Sequence, residues 1–199
     1  NQVRRLLDDD RSEGFVNGFL DSWLNLRDLG GMPPPRERAR RYYSENWPAS
    51  MKGEVRHFFA HLLKKNLPVG SLLDADFTFV DKYLAAIYRL PEAKTLRLKD
   101  GFRKVKLSEK DRRGGILGMA AVLTVSANGV DTSPVTRGVF VSENILGVIP
   151  PPPPDEVPPI EPDIRGATTL RERLEKHRES TTCADCHRKI DPPGFARQP

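Results

Sequence analysis

The sequence predicts a mainly α-helical protein, in which a helical body is joined by a proline-rich strap to a short C-terminal segment. Three observations support this prediction. Apolar residues recur at helical spacing through much of residues 1–149. Five consecutive prolines then occupy positions 150–154, where neither a helix nor a sheet ladder can continue. The only two cysteines of the 199 residues lie beyond that run, at Cys183 and Cys186.

Residues 1–96 are expected to form an N-terminal helical domain. The apolar spacing predicts a helical region from Val3 to Leu29, with Ser12 as an N-cap inside it and the Gly30-Gly31 pair as its end. A second helical region is expected from Arg36 to about Asn66. It should be interrupted near Trp47-Pro48, because the residue before a proline is biased out of the helical conformation.

The remainder of this domain is expected to contain an extended segment at residues 77–79 and a helix through residues 83–88. The polar and basic stretch from Arg97 to Arg113 follows. Such a change of composition is typical of a domain boundary, and we place the boundary there.

Residues 97–149 are expected to form a segment rich in small residues that packs with the C-terminal part. An alternating pattern predicts a strand from Phe102 to Leu107, and small apolar residues predict a buried helix over residues 114–123. Ser133-Pro134 is typical of an N-cap followed by the first helical residue, so a further helix should begin there and stop at Gly147.

Residues 150–166 are expected to be a proline-rich strap in an extended polyproline conformation. At about 3.1 Å per residue, such a segment carries the chain a long way without hydrogen bonds of its own. We therefore favour a semi-rigid connection over a binding site for proline-recognition modules. Residues 167–199 form the C-terminal segment, and Thr168 or Thr169 is expected to cap a helix from Leu170 to His177.

The C-terminal segment contains the pattern Cys183-Ala184-Asp185-Cys186-His187. This C-x-x-C-H spacing attaches a c-type haem: two thiols three residues apart reach the two vinyl groups of one porphyrin, and the adjacent histidine binds the iron. We expect one covalent haem c on Cys183 and Cys186, with His187 as proximal ligand. A backbone carbonyl in a turn near Pro192-Pro193 is expected to accept the Nδ1 proton of His187.

Two other interpretations of this motif stay open. Zinc could be bound by His177, Cys183, Cys186 and His187, although two adjacent ligands are awkward to place on one tetrahedral ion. The cysteine pair could also act as a redox-active dithiol. The adjacent histidine favours haem over both.

The second axial ligand of the iron is left open by the sequence. The candidates are His177, His61 and Met119, together with His57, which lies four residues before His61. The two closely spaced histidines have no H-E-x-x-H pattern around them, which favours an ordinary surface or boundary location. An open or externally supplied sixth position is the remaining alternative.

The charge balance excludes few partners. The chain has 32 basic and 27 acidic residues, a net charge of +5, which does not by itself indicate nucleic acid. Residues 165–199 contain eight basic and five acidic side chains, a surplus that favours haem propionates or an acidic redox partner. No run of eighteen apolar residues is present, so we expect no membrane span, and an oligomer is compatible with the composition.

The start of the chain reads as the middle of an amphipathic helix and not as a signal peptide. Covalent attachment of haem normally takes place outside the cytoplasm and requires export. We therefore expect a processed or excised part of a longer precursor, located in the periplasm or outside the cell.

Several motifs together resemble a known family. They are RRGGIL at 112–117, VLTVSANG at 122–129, TSPVTRG at 132–138, the proline run, LRERLEKHR at 170–178 and CADCHRKIDPPGFA at 183–196. The chain is similar to the large secreted cytochrome-c-like proteins of planctomycetes, which are built from successive domains of unknown function. Residues 1–90 are similar to the domain that precedes the haem segment.

The resemblance implies export, haem c on Cys183 and Cys186 with His187 as ligand, and electron transfer to a redox partner or a neighbouring cytochrome domain. Members usually carry further domains on both sides, and a distal ligand could lie there. A haem-dependent oxidoreductase, or a module that feeds electrons to a polysaccharide-degrading enzyme, is the alternative function. A Cys2His2 zinc-stapled structural domain is the second alternative.

Overall fold

The protein is described from a computed structural model, which describes residues 2–127, 133–151 and 181–195. Helices predominate and a single pair of short strands is present in these ranges, so the prediction of a mainly α-helical fold is confirmed. The chain divides into two compact units, residues 1–132 and 133–199. Most of the strap and the expected helix from Leu170 to His177 lie outside the described residues.

The first helical region is not continuous. Helix α1 spans Gln2–Leu7, helix α2 spans Ser12–Trp23, and a 3-10 turn spans Leu26–Asp28. Between the helices, the Asp9 carboxylate accepts hydrogen bonds from the backbone N–H and the side chain of Arg11, at 2.9 and 2.8 Å. This local bonding competes with helix formation. The N-cap prediction at Ser12 was therefore wrong: Arg11 occupies the cap without a side-chain bond, and Ser12 is already helical.

The second helical region is interrupted where the sequence predicted. Helix α3 spans Arg40–Ser44 and helix α4 spans Trp47–Lys65. Asn46 adopts a left-handed conformation before α4, and Asn66 does the same after it. Asparagine tolerates this conformation better than most residues, which accounts for both breaks. Helix α4 forms the centre of the first unit and buries Val55, Phe58 and Leu62.

A small antiparallel sheet packs beside α4. Strand β1 spans Phe77–Val80 and strand β2 spans Arg103–Lys106, with Thr78 opposite Val105. Both strands were predicted. Helix α5, Lys82–Ile87, follows β1 and is capped by Asp81, whose carboxylate accepts the N–H of Leu84 at 2.8 Å. Short 3-10 turns connect these elements at Val69–Leu72, Pro91–Lys94, Leu98–Asp100 and Glu109–Asp111.

The small-residue segment forms two short elements instead of one helix. A 3-10 turn spans Ile116–Gly118, and helix α6 spans Ala120–Val125. Gly115 has φ +58°, and a Cβ there would overlap the backbone carbonyl of Leu73. Gly115 thus allows two backbone segments to approach closely and is not part of a helix. The predicted start of a helix near residue 114 was therefore wrong.

The second unit contains helix α7, Pro134–Phe140, and helix α8, Thr181–Phe195. The predicted cap is confirmed, because the Ser133 hydroxyl accepts the N–H of Thr136 at 3.3 Å. A π-helical turn, Val141–Ile145, extends α7, and Gly147 follows in a left-handed conformation. This end agrees with the predicted stop.

Helices α7 and α8 approach each other at two glycines. A Cβ at Gly138 would overlap the carbonyl oxygen of Ile190, and a Cβ at Gly194 would overlap that of Pro134. The absence of these side chains lets the two backbones touch, so that α8 is held against α7 along its C-terminal half.

Candidate haem-attachment site

Helix α8 contains all three residues of the predicted haem motif. Cys183, Cys186 and His187 occupy positions i, i+3 and i+4 of one continuous helix. Residues at this spacing share a helix face. The helical backbone therefore places the three residues of the motif on one side of a single element.

His187 is anchored by the residue one turn further along. Its Nδ1 lies 2.9 Å from Oδ1 of Asp191, and the two residues are 8% and 3% exposed. A hydrogen bond from Nδ1–H fixes the imidazole tautomer that presents the Nε2 lone pair to a metal. The donor set of two cysteines and one oriented histidine thus fits a covalently attached haem.

The expected acceptor for the Nδ1 proton was wrong. The sequence predicted a turn at Pro192-Pro193 and a backbone carbonyl as the partner of His187. In the structure, both prolines lie inside α8, which continues to Phe195. Because the helix does not turn away, the side chain at i+4 stays on the face of His187, and a carboxylate takes the place of the carbonyl.

Helix α7 holds the C-terminal half of α8 in place. Arg137 is buried, and its Nη1 donates a hydrogen bond to the carbonyl oxygen of Gly194 at 3.1 Å. Burial also lowers the pKa of the Arg137 guanidinium. Ile190, next to Asp191, packs on Gly138. These contacts fix the helical turn that presents Asp191 to His187.

The other side of this helix faces solvent. Arg188 and Lys189, which directly follow His187, are exposed, as is Pro192. Two cationic side chains therefore lie on the surface immediately beside the buried imidazole.

The two histidines proposed as distal ligands in the first unit, His57 and His61, make contacts with residues of that unit. Nδ1 of His57 lies 2.7 Å from the carbonyl oxygen of Gly53, and its ring stacks on Phe102 with centroids 4.4 Å apart. The Nε2 of His61 accepts a hydrogen bond from the Lys104 ammonium at 3.0 Å. Burial, followed by the charges of Lys104 and Lys65, lowers the pKa of His61.

Met119 is 2% exposed within the core of the first unit. The remaining candidate, His177, lies outside the described residues, so the structure does not describe the complete zinc set that includes it. Within residues 2–127, 133–151 and 181–195, no cluster of three or more histidine, cysteine or acidic side chains could hold a metal ion.

A buried polar network in the first unit was missed by the sequence analysis. Glu54 on α4 is 1% exposed and accepts hydrogen bonds from Thr78 at 2.6 Å and from the Tyr88 hydroxyl at 2.5 Å. The Tyr88 oxygen in turn accepts the N–H of Ala120 at 2.8 Å, and Arg113 lies 3.8 Å over the Tyr88 ring. Burial raises the pKa of Glu54 to about 7.

This network joins α4, β1, the residue that follows α5, and α6 around one carboxyl group. Burial also raises the pKa of Tyr88, which keeps its hydroxyl protonated as a donor. Apart from the apolar spacing around it, the sequence contains no signal that would single out Glu54, because its partners lie 24 and 34 residues away. We assign it a role in stabilising the fold.

Together, the described fold and the sequence define a mainly helical chain made of successive domains. The family model for PSD4, a protein of unknown function (DUF1592), matches residues 1–90, and that for PSCyt3, a protein of unknown function (DUF1588), matches residues 113–198. The prediction of consecutive domains of unknown function is thereby confirmed. No curated protein and no solved structure shows significant similarity to the chain.

The second family match begins within the first structural unit. Residues 113–127 supply Arg113 and Ala120, which contact Tyr88 from the region matched by the first family. The start of the second matched region is thus part of the body built around α4. Among the described residues, no helix combines the length and apolar character needed to cross a membrane.

Proposed function

We propose that this chain is an extracytoplasmic c-type cytochrome module that carries single electrons on one covalently attached haem. The observation that supports this most directly is helix α8, which bears Cys183, Cys186 and His187 on one face. The buried hydrogen bond from His187 to Asp191 supports it further, because such a second contact is typical of histidines that bind metals.

Each residue has a defined part in this proposal. The thiols of Cys183 and Cys186 would hold the haem covalently as thioethers, and Nε2 of His187 would bind its iron. Asp191 holds the His187 ring in the required tautomer, and the contacts of Arg137 and Gly138 keep the helical turn in place. When bound, the haem supplies a one-electron couple, and the surrounding burial keeps water from His187.

The exposed surface beside the site indicates the type of partner. Arg188 and Lys189 would favour an acidic redox protein or a neighbouring cytochrome domain with an acidic face. Such a surface mainly raises the association rate, so electron transfer to the partner should slow as the salt concentration rises. Periplasmic or extracellular location follows from the maturation chemistry and is part of the proposal.

The proposal is tested by exporting the chain in a host that matures c-type cytochromes. We expect the purified protein to show a pyridine haemochrome spectrum with one haem per chain that survives acidic organic extraction. The double variant Cys183→Ala/Cys186→Ala should lose the covalent haem. The variant Lys189→Ala, which changes an exposed residue of the same helix, should retain it.

Two results would contradict the proposed cytochrome function. Wild-type protein without covalent haem, but with one zinc ion per chain by metal analysis, would replace the cytochrome with the zinc-stapled domain. Protein with neither group, and with a reducible bond between the two cysteines, would favour the redox dithiol.

A further inference from the structure

We infer that Asp191 lowers the reduction potential of the iron bound by His187, so that the module works as a low-potential electron carrier. This inference rests on the proposed function and concerns the tuning of the same site. It makes Asp191 a positioning residue, because it acts on the iron only through His187.

The contact between the two side chains has the geometry of a charge-assisted hydrogen bond. The Nδ1 to Oδ1 distance of 2.9 Å lies in the range for a nitrogen donor and an anionic acceptor. Both residues are almost fully buried, at 8% and 3% exposure. Removal from water strengthens the electrostatic effect of the carboxylate on the imidazole.

The direction of the effect follows from the charge of the acceptor. A carboxylate draws the Nδ1 proton more strongly than a neutral carbonyl does, and this raises the basicity of the ring nitrogen that faces the metal. A more basic ligand stabilises the higher positive charge of ferric iron more than that of ferrous iron. The reduction potential therefore falls, through hydrogen bonding beyond the direct ligands.

The surrounding structure holds Asp191 in this position. Ile190 on one side packs its backbone on Gly138, and Gly194 one turn later packs on Pro134. The Arg137 guanidinium is engaged with the carbonyl of Gly194 at 3.1 Å. The helical turn between Ile190 and Gly194 is thus fixed at both ends, which favours one lasting geometry for the His187 to Asp191 contact.

The experiment compares the potentials of the haem-loaded wild type and Asp191→Asn by spectroelectrochemical titration. Asparagine has nearly the same shape but no charge. We expect the potential to rise by at least a tenfold change in the one-electron equilibrium, about 59 mV. Asp191→Glu should bring it back towards the wild-type value, and Glu143→Gln, which removes an exposed charge from the same unit, should leave it unchanged.

The outcomes separate this inference from the proposed function. Absence of covalent haem in the wild type would overturn both. Covalent haem in wild type and Asp191→Asn with equal potentials, or an equal rise in Glu143→Gln, would overturn the tuning role alone.

If Asp191→Asn does not retain haem, the wild type still decides the question. The iron to histidine stretching band is then measured by resonance Raman after photolysis of the carbon monoxide complex. A frequency above that of a haem peptide whose histidine is hydrogen-bonded to water supports the inference, and an equal or lower frequency contradicts it.

Discussion

Replacing Glu54 with glutamine should change how the stability of the first unit depends on pH. Burial raises the pKa of Glu54 from 4.5 to about 7. The folded state therefore binds the proton more tightly than the unfolded state does. The stabilising contribution is complete below a pH of about 4.5 and is lost as the pH rises through about 7. The two values differ by roughly 2.5, which corresponds to about 3 kcal/mol of unfolding free energy.

Glutamine resembles the protonated form of Glu54 at every pH. It keeps the volume of the side chain and can still bond to Thr78 and to the Tyr88 hydroxyl, which contact the two carboxyl oxygens in the wild type. We therefore expect Glu54→Gln to gain stability relative to wild type by about 3 kcal/mol between pH 4.5 and pH 8.

Urea unfolding followed by tryptophan fluorescence measures this difference. The chain has two tryptophans, Trp23 and Trp47, and both lie in the first unit, so the signal reports on that unit alone. Glu37→Gln, at an exposed position, is the matched control and should follow the wild type at each pH. If Glu54→Gln and wild type lose stability in parallel over this range, the reasoning about the buried carboxyl is refuted.

Two substitutions test the close backbone contacts. Gly138→Ala should destabilise the second unit by more than about 1 kcal/mol, measured as faster hydrogen exchange in α7, although alanine ordinarily stabilises a helix. Gly18→Ala, with open space around it, should instead stabilise α2 by about 0.5 kcal/mol. If both substitutions change stability in the same direction, the backbone contact at Gly138 does not explain the need for glycine. Gly115→Ala should lower the urea midpoint of the first unit more than Gly101→Ala does, because both glycines have positive φ but only Gly115 meets a backbone carbonyl. Equal decreases in the urea midpoint would show that the contact with Leu73 contributes nothing.

Local signals predicted the helices that have clear ends. Ser133-Pro134 and Gly147 bound α7 and its extension as expected, and Trp47-Pro48 marks the start of α4. These positions act through the backbone of the same few residues, so the sequence alone is informative. The N-cap prediction at Ser12 was wrong because the Asp9 carboxylate bonds to the backbone N–H and the side chain of Arg11, and the helix begins directly after Arg11.

Close approach between distant residues could not be predicted. Gly115 lies against a carbonyl more than forty positions away, and Glu54 is held by partners on β1 and directly after α5. Asp191 is an intermediate case. Its spacing of four residues from His187 would place it on the same face of a helix, but two prolines at 192 and 193 argued for a turn. Packing of α8 on α7 outweighed that local preference.

The proposed function requires that Cys183 and Cys186 bind one haem. Peptide mapping of the exported and matured chain by mass spectrometry tests it most directly, because tryptic cleavage after Arg178 and Arg188 releases residues 179–188 as one peptide. We expect this peptide to carry a single haem joined through both thiols and to absorb in the Soret region. Recovery of the peptide at its unmodified mass, or with the two cysteines joined to each other, would contradict it.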